Sequence, residues 1–216
     1  MTAATDKART QVAGVLLAGG LARRMGGGDK GVKGLGGRPS LDRILERIRP
    51  QVSALLVNAN GDPGRFASYG LPVRADVIAG FQGPLAGVLT GLEWAAANAP
   101  TSTRFVASFA TDAPFVPLDL VARMLDHVER RGAVMACAAS AGRTHPVFGL
   151  WPVAIAGELR RAIEDEEMRK IDRWTACYDL VEVEFPTDPI DPFFNINDKD
   201  NLDEAERLLA ADRGAA

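Results

Sequence analysis

Val12 to Ala18 is a continuous apolar run with no alternation, and it breaks at once into Gly19-Gly20. Seven such residues fit a strand buried on both faces, the situation of an inner strand in a parallel sheet with helices on either side. The rest of the chain keeps this rhythm. Leu41, Ile44, Leu45 and Ile48 recur at helical spacing behind Pro39-Ser40, and Ser53–Asn58 reads as the next strand, closing in the turn Asn58-Ala59-Asn60-Gly61-Asp62-Pro63. A short helix near 65–69 and a brief strand near Val73 follow. Leu85, Val88, Leu89 and Leu92 mark a helix after Gly83-Pro84. Phe105–Ala110 is a third strong strand, stopped by Thr111-Asp112-Ala113-Pro114. A helix through Leu118–Val128, a strand at 133–139, a strand at 146–150, a helix at 152–163, a strand at 180–185 and a closing helix around Leu202–Leu209 complete the reading. Strands alternating with helices predict right-handed βαβ units. The expected fold is α/β: three layers, Rossmann-like, with a mainly parallel sheet and helices on both faces.

At 216 residues, 47% hydrophobic and 25% charged, the chain suits one large domain with an ample core. Residues 1–11 are polar and lack the apolar core of a signal peptide, so they read as a flexible tail, with a single domain at 12–212. No stretch approaches the roughly 18 apolar residues of a membrane span. Net charge −3 argues against a nonspecific nucleic-acid or membrane binder. Cys137 and Cys177 have no CxxC spacing and no neighbouring histidines, and read as buried thiols of a reducing compartment. The expected location is the cytoplasm. Glu164–Glu167 reads as a solvated helix surface, and Trp94, Trp151 and Trp174 as too scattered for a stacking platform.

The chemistry concentrates after the first strand. Between Leu21 and Ser40 there are five basic side chains (Arg23, Arg24, Lys30, Lys33, Arg38) and one acidic, Asp29. Strand, glycines and cations in that order suit a phosphate-wrapping loop, against the plainer readings of a turn and a solvated charge run. A Walker A loop needs a hydroxyl directly after its lysine, whereas Gly31 follows Lys30. Gly26-x-Gly28-x-x-Gly31 has the dinucleotide spacing but begins about eight residues after the strand instead of at its end. No GxSxG elbow or HExxH helix is present. Absent side chains at Gly19 and Gly20 would let backbone N–H groups approach a nucleotide, with Arg24 and Lys30 neutralising phosphate charge. In open parallel sheets ligands bind beyond the carboxyl ends of the strands, where Gly19-Gly20, Asn58 and Asp112 fall. An isolated strand-end carboxylate suits Mg²⁺, which takes one or two carboxylates plus phosphate oxygens and water; a helix cap or turn is the alternative for Asp112. Loop and aspartate together suggest metal-assisted phosphoryl or nucleotidyl transfer. His145 before Pro146 reads as a packing or ligand histidine. Asn195 and Asn197 flank Ile196 in a strand-like i, i+2 pattern that suits ligand hydrogen bonds or a helix cap.

These residues resemble one family over about residues 12–210. The stretch Leu17-Ala18-Gly19-Gly20-x-Ala22-Arg23-Arg24-Met25-Gly26-Gly27-x-Asp29-Lys30-Gly31 is similar to the loop of the molybdenum cofactor guanylyltransferases (MobA). Val57-Asn58-Ala59-Asn60, Gly83-Pro84-Leu85-Ala86-Gly87, Thr111-Asp112-Ala113-Pro114, His145-Pro146 and Phe194-Asn195-Ile196-Asn197 extend the likeness. Related cytidylyltransferases carry Ala-Ala-Gly where this chain has Ala18-Gly19-Gly20. The resemblance implies transfer of GMP from GTP to the phosphate of molybdopterin or its molybdenum-loaded form, with release of pyrophosphate. It implies a GTP-binding half at about 12–115 and a pterin-acceptor half at about 116–212. Leu17, Ala18, Gly19, Gly20, Lys30, Asn58, Asp76, Gly87 and Asp112 would bind nucleotide, and Asp112 would also hold Mg²⁺. Arg24, Lys30 and Asp112 would carry catalysis, while His145, Asn195 and Asn197 match pterin-side positions. Residues 77–82 depart from the family wording, which leaves base contacts there open. Cofactor-insertion proteins and molybdoenzyme chaperones are the protein partners it suggests. A cytidylyltransferase, a sugar-phosphate nucleotidyltransferase and a noncatalytic cofactor-assembly protein are the competing readings.

Overall fold

The computed structural model describes residues 3–19, 34–80 and 83–214. Strand β1 (Val12–Leu17) lies inside a seven-stranded sheet with β4 (Leu55–Asn58) on one side and β6 (Phe105–Ala110) on the other, both parallel to it. Beyond β4 comes the short β5 (Val73–Arg74); beyond β6 come β8 (Arg143–Pro152), β7 (Met135–Ser140) and β9 (Leu180–Phe185), giving the order β5-β4-β1-β6-β8-β7-β9. A separate two-stranded ribbon pairs β2 (Gly34–Leu35) with β3 (Arg38–Pro39).

The unbroken apolar run of β1 is used on both faces. Val12, Leu16 and Ala18 enter one core with α1 (Ala3–Gln11), α2 (Ser40–Ile48) and α4 (Leu120–Arg131). Ala13 and Val15 enter the other, with α3 (Pro84–Asn98), α5 (Ala156–Asp165) and α6 (Ile171–Thr175). The three-layer reading therefore holds. In α3, Gly91 lets the helix sit directly on β1, since a Cβ there would come within 2.7 Å of the Val15 Cβ.

Several local expectations change. The described part of the predicted flexible tail is helix α1: its Ala8 is buried, and Lys7 Nζ reaches Glu129 Oε2 on α4 at 2.6 Å. Low hydrophobicity hides this helix, whose one buried hydrophobic side chain among the described residues is the small Ala8. Strand β8 runs antiparallel to both β6 and β7. Ala141 and Gly142, both at positive φ, join β7 to β8 in a two-residue turn, which forces an antiparallel pair. Ala141 in that conformation is uncommon for a residue with a Cβ, so the hairpin carries no Asn-Gly signature. The helix expected from 152 begins at Ala156, after a 3₁₀ turn at Val153–Ile155. Cys137 is buried, with desolvation pushing its thiol up to about 12, but Cys177 is exposed. The scattered tryptophans partly converge: Trp151 and Trp174 have ring centroids 6.0 Å apart, and Tyr178 lies 4.9 Å from Trp174.

A buried hydroxyl ties β6 to β8. Ser108 Oγ accepts from Trp151 Nε1 at 2.8 Å and from the Gly149 N–H at 3.3 Å, and donates to the Val147 carbonyl at 2.5 Å. Ser108→Ala strands the indole N–H in the core and should cost about 1–3 kcal/mol. At roughly 2–4 °C per kcal/mol for a domain of this size, calorimetry would register a clear fall in Tm; an unchanged Tm would refute this account of the β6–β8 joint.

Candidate active site

A strand buried on both faces can present polar groups only where it ends. Leu17 is in register with Asn58 on one side and Ala110 on the other, so Ala18-Gly19, Asn58–Asn60 and Asp112 emerge at one edge of the sheet. The Ala18 N–H donates to the Asn58 carbonyl at 2.8 Å, which carries the parallel ladder to the very edge. A Cβ on Gly19 would lie 3.8 Å from Asn60 Nδ2. Of the expected loop residues, Gly20, Arg24 and Lys30 lie outside the described residues.

Asn58 and Asp76 are brought together, and two further residues complete the arrangement. Asn58 Nδ2 donates to Asp76 Oδ1 at 2.9 Å and lies 3.3 Å from the Arg74 carbonyl. Asn60 Nδ2 donates to Asp76 Oδ2 at 2.8 Å, and Asn60 Oδ1 accepts the Asp76 N–H at 3.0 Å. The next peptide is held as well, the Val77 N–H donating to Thr90 Oγ1 at 3.0 Å while that hydroxyl donates to the Ala86 carbonyl at 2.8 Å. The segment after β5 is thus clamped to the end of β4 and to α3. Gly87 faces this clamp from α3, and a Cβ there would overlap Asn58 Oδ1. Its place in the site is to leave room for the Asn58 amide. Because Gly87 also abuts Leu17, the first turn of α3 sits over the strand ends, where the positive end of a helix favours an anion. Asn60 and Thr90 were missed by sequence reasoning, although Asn58-x-Asn60 at a strand end places two amides on one side.

Asp112 follows β6 half-buried, between the buried Thr111 and Ala113. Its backbone carbonyl accepts the Ile196 N–H at 2.7 Å, which brings the segment 191–197 to the same edge. Ile196 is buried against Leu35 and Ala205, while Phe193 lies in the core against Phe148 and Phe185. Asn195 and Asn197 are exposed on either side of Ile196. The inward–outward alternation expected there survives, but no strand forms, because the segment pairs with no neighbouring strand. The Asn197 N–H donates to Asn201 Oδ1 at 3.2 Å, and Asn201 N–H to Asp198 Oδ1 at 2.8 Å, so this stretch also caps α7 (Lys199–Gly214).

His145 enters from β8, which starts at the edge where the parallel strands finish. Its ring stacks on Phe193 (centroids 4.5 Å apart, planes 29° apart), and Nε2 lies 2.7 Å from Ser140 Oγ. Ser140 in turn donates to Asp191 Oδ1 at 3.0 Å. Burial lowers the His145 pKa, partly offset by the Asp191 carboxylate. Ser140 and Asp191 carry no motif of their own; only the fold joins positions 140, 145 and 191.

The profile of the MobA-like NTP transferase domain matches residues 14–180. A molybdenum cofactor guanylyltransferase of Nitrobacter hamburgensis is 53% identical over 201 residues, 93% of this chain and 96% of the relative. Another of Bradyrhizobium sp. is 51% identical over 206 residues, 95% of this chain and 97% of the relative. Among solved structures, molybdopterin-guanine dinucleotide biosynthesis protein A of Archaeoglobus fulgidus superimposes with TM-score 0.70 at 23% identity, covering 92% of this chain and 99% of its own. CMP:2-keto-3-deoxy-manno-octonic acid synthetase, solved with CTP, has the same TM-score at 11% identity, over 94% of this chain and 99% of its own, a likeness of fold alone. The glycine-ended first strand, the clamped edge and the aspartate after β6 all lie inside the matched span, and the chain belongs to the MobA-like NTP transferase family.

Proposed function

We propose that this chain transfers GMP from GTP to the phosphate of molybdopterin or its molybdenum-loaded form, giving the guanine dinucleotide cofactor and pyrophosphate. One observation carries the reading: Gly19, the Asn58–Asp76–Asn60 clamp and Asp112 share one sheet edge, and the acceptor-side segment is hydrogen-bonded to Asp112 itself. Nucleotide then belongs to the half up to about residue 115 and the acceptor to the half beyond it. The names of the relatives support guanylyl transfer and the molybdenum cofactor as its object.

An oxygen of the acceptor phosphate attacks the α-phosphorus of GTP. The new P–O bond forms as the bond from the α-phosphorus to the bridging oxygen breaks, and pyrophosphate leaves with that electron pair. The attacking phosphate is already anionic at neutral pH, so no general base has to remove a proton. The residues must instead position two mutually repelling anions and offset their charge. Leu17, Ala18, Gly19 and Gly20 bring backbone close to the nucleotide, and Arg24 and Lys30 supply positive charge. Asn58 and Asp76, with Gly87 behind Asn58, shape the nucleotide side. His145, Asn195 and Asn197 face the acceptor.

Asp112 fits a Mg²⁺ ligand by the chemistry of its position: one strand-end carboxylate, leaving the other positions to phosphate oxygens and water. Bound there, Mg²⁺ would withdraw charge from the phosphates of the leaving group. No helix among the described residues is long and apolar enough to cross a membrane.

Purified protein incubated with Mg²⁺, molybdopterin and either GTP or CTP should release pyrophosphate and form dinucleotide with GTP. Preference for CTP would move the chain to the cytidylyl reading, and nucleotide binding without product would favour the assembly role. Asp112→Ala should lower kcat about 10²–10³-fold, as loss of one preorganised charge partner does, while the Ile196 N–H keeps its backbone acceptor. A folded variant with full Mg²⁺-dependent turnover would sink the metal assignment. Asn60→Ala removes the partners of Asp76 Oδ2 and of the Asp76 N–H and should raise KM for GTP roughly 10-fold with a smaller effect on kcat; equal KM values would show that the clamp does not serve the nucleotide.

A further inference from the structure

The group formed by His145, Ser140, Asp191 and Phe193 has an internal proton order that can be read from its distances. Asp191 Oδ1 accepts two hydrogens, from Ser140 Oγ at 3.0 Å and from the Phe193 N–H at 2.9 Å. A carboxylate oxygen engaged this way has no hydrogen to return. The single hydroxyl hydrogen of Ser140 is therefore directed to Asp191, and the 2.7 Å contact with His145 must be filled from the histidine side, Nε2–H donating to Ser140 Oγ. In a hydrolase triad the imidazole lies between hydroxyl and carboxylate; here the hydroxyl lies between them. Ser140 is also only 1% exposed, which leaves it no path to a substrate as a nucleophile.

We propose that Ser140 and Asp191 are positioning residues that hold His145 as its neutral Nε2–H tautomer, so that Nδ1 serves as a hydrogen-bond acceptor toward an N–H or O–H group of the molecule that receives the nucleotide. The tautomer follows from geometry; the use made of Nδ1 rests on the acceptor-side reading of His145 given above. The stack on Phe193 fixes the ring plane, and the hydrogen bond fixes its rotation within that plane. Phe193 is three residues from Ile196, whose N–H is bonded to the Asp112 carbonyl, so the same strap that orients His145 is registered against the proposed metal ligand. The charged groups around the ring are Asp191 and Glu184, which favour protonation, and Arg143, which opposes it. Burial outweighs them and keeps the ring on the neutral side.

The chain has two histidines, so long-range ¹H–¹⁵N spectra contain two ring systems, and loss of one in His145→Gln assigns the other to His127. In the wild-type protein at neutral pH the His145 ring should be the Nε2–H form. Asp191→Ala removes the acceptor for Ser140, which then turns its hydrogen toward Nε2, and the ring should shift to the Nδ1–H form. Asp191→Asn keeps an acceptor oxygen and should keep the wild-type tautomer. Ser140→Ala should leave a mixture. In kinetics, Asp191→Ala and Ser140→Ala should raise KM for molybdopterin roughly 3–10-fold, the loss of about one neutral hydrogen bond, without moving KM for GTP. An Nδ1–H ring in the wild type, or a tautomer indifferent to Asp191→Ala, overturns the lock even if GMP transfer is intact. Equal rises in both KM values overturn the acceptor-specific role. Should a variant fail to fold, the wild-type and Asp191→Asn spectra still decide the tautomer. An Nε2–H ring in a protein that transfers no GMP leaves the lock standing and overturns the use assigned to Nδ1 together with the functional reading.

Discussion

The site depends on the burial of β1 on both faces. Its side chains alternate between two apolar cores, so no polar group can be tolerated along its length, and each such group must wait for the strand to end. The neighbours β4 and β6 are held to it in parallel register and end at the same level. That places Gly19, Asn58 and Asp112 side by side although more than fifty residues separate Asn58 from Asp112. The helix α3 completes the edge because Gly87 and Gly91 remove the Cβ atoms that would hold it away from β1 and β4.

The antiparallel strand has a consequence for the chemistry. A parallel strand in the position of β8 would deliver its last residues to this edge and bury its first. Running the other way, β8 places its beginning there, and His145 with it. The same hairpin puts Ser140, the last residue of β7, within 2.7 Å of that histidine. The turn at Ala141-Gly142 is therefore what brings His145, the proposed acceptor-side residue, to the edge where Asn58 and Asp112 emerge.

Legibility in the sequence followed the reach of each interaction. The strands β1, β4, β6 and the amphipathic helices α2 and α4 could be read because their signal is local: apolar runs and helical spacing. The three-layer fold followed from their alternation. Asn58 and Asp112 were legible as strand-end residues, and Asp76 and His145 through family resemblance. Asn60, Thr90, Ser140 and Asp191 were not, since each acts by a hydrogen bond to a residue between 4 and 51 positions away, and only Asn60, two residues after Asn58, lies in a spacing that hints at its role. The N-terminal helix was hidden for the opposite reason, having too little apolar surface to show a period.

The two clamps share a physical logic. With GTP and a phosphate acceptor as the proposed substrates, both anionic, the site is an unfavourable place for carboxylates, which would repel both. Asp76 and Asp191 stand near it all the same: Asp76 has both oxygens turned to the amides of Asn58 and Asn60, and Asp191 has Oδ1 turned to a hydroxyl and a peptide N–H. Hydrogen bonds of this kind spread the negative charge into the scaffold and convert the carboxylate from a repulsive group into a rigid joint. Asp112 is joined to the same strap through its backbone carbonyl, which accepts the Ile196 N–H. The strap is thereby held at two points, by the Asp191 side chain to Ser140 and by the main chain to the residue that follows β6.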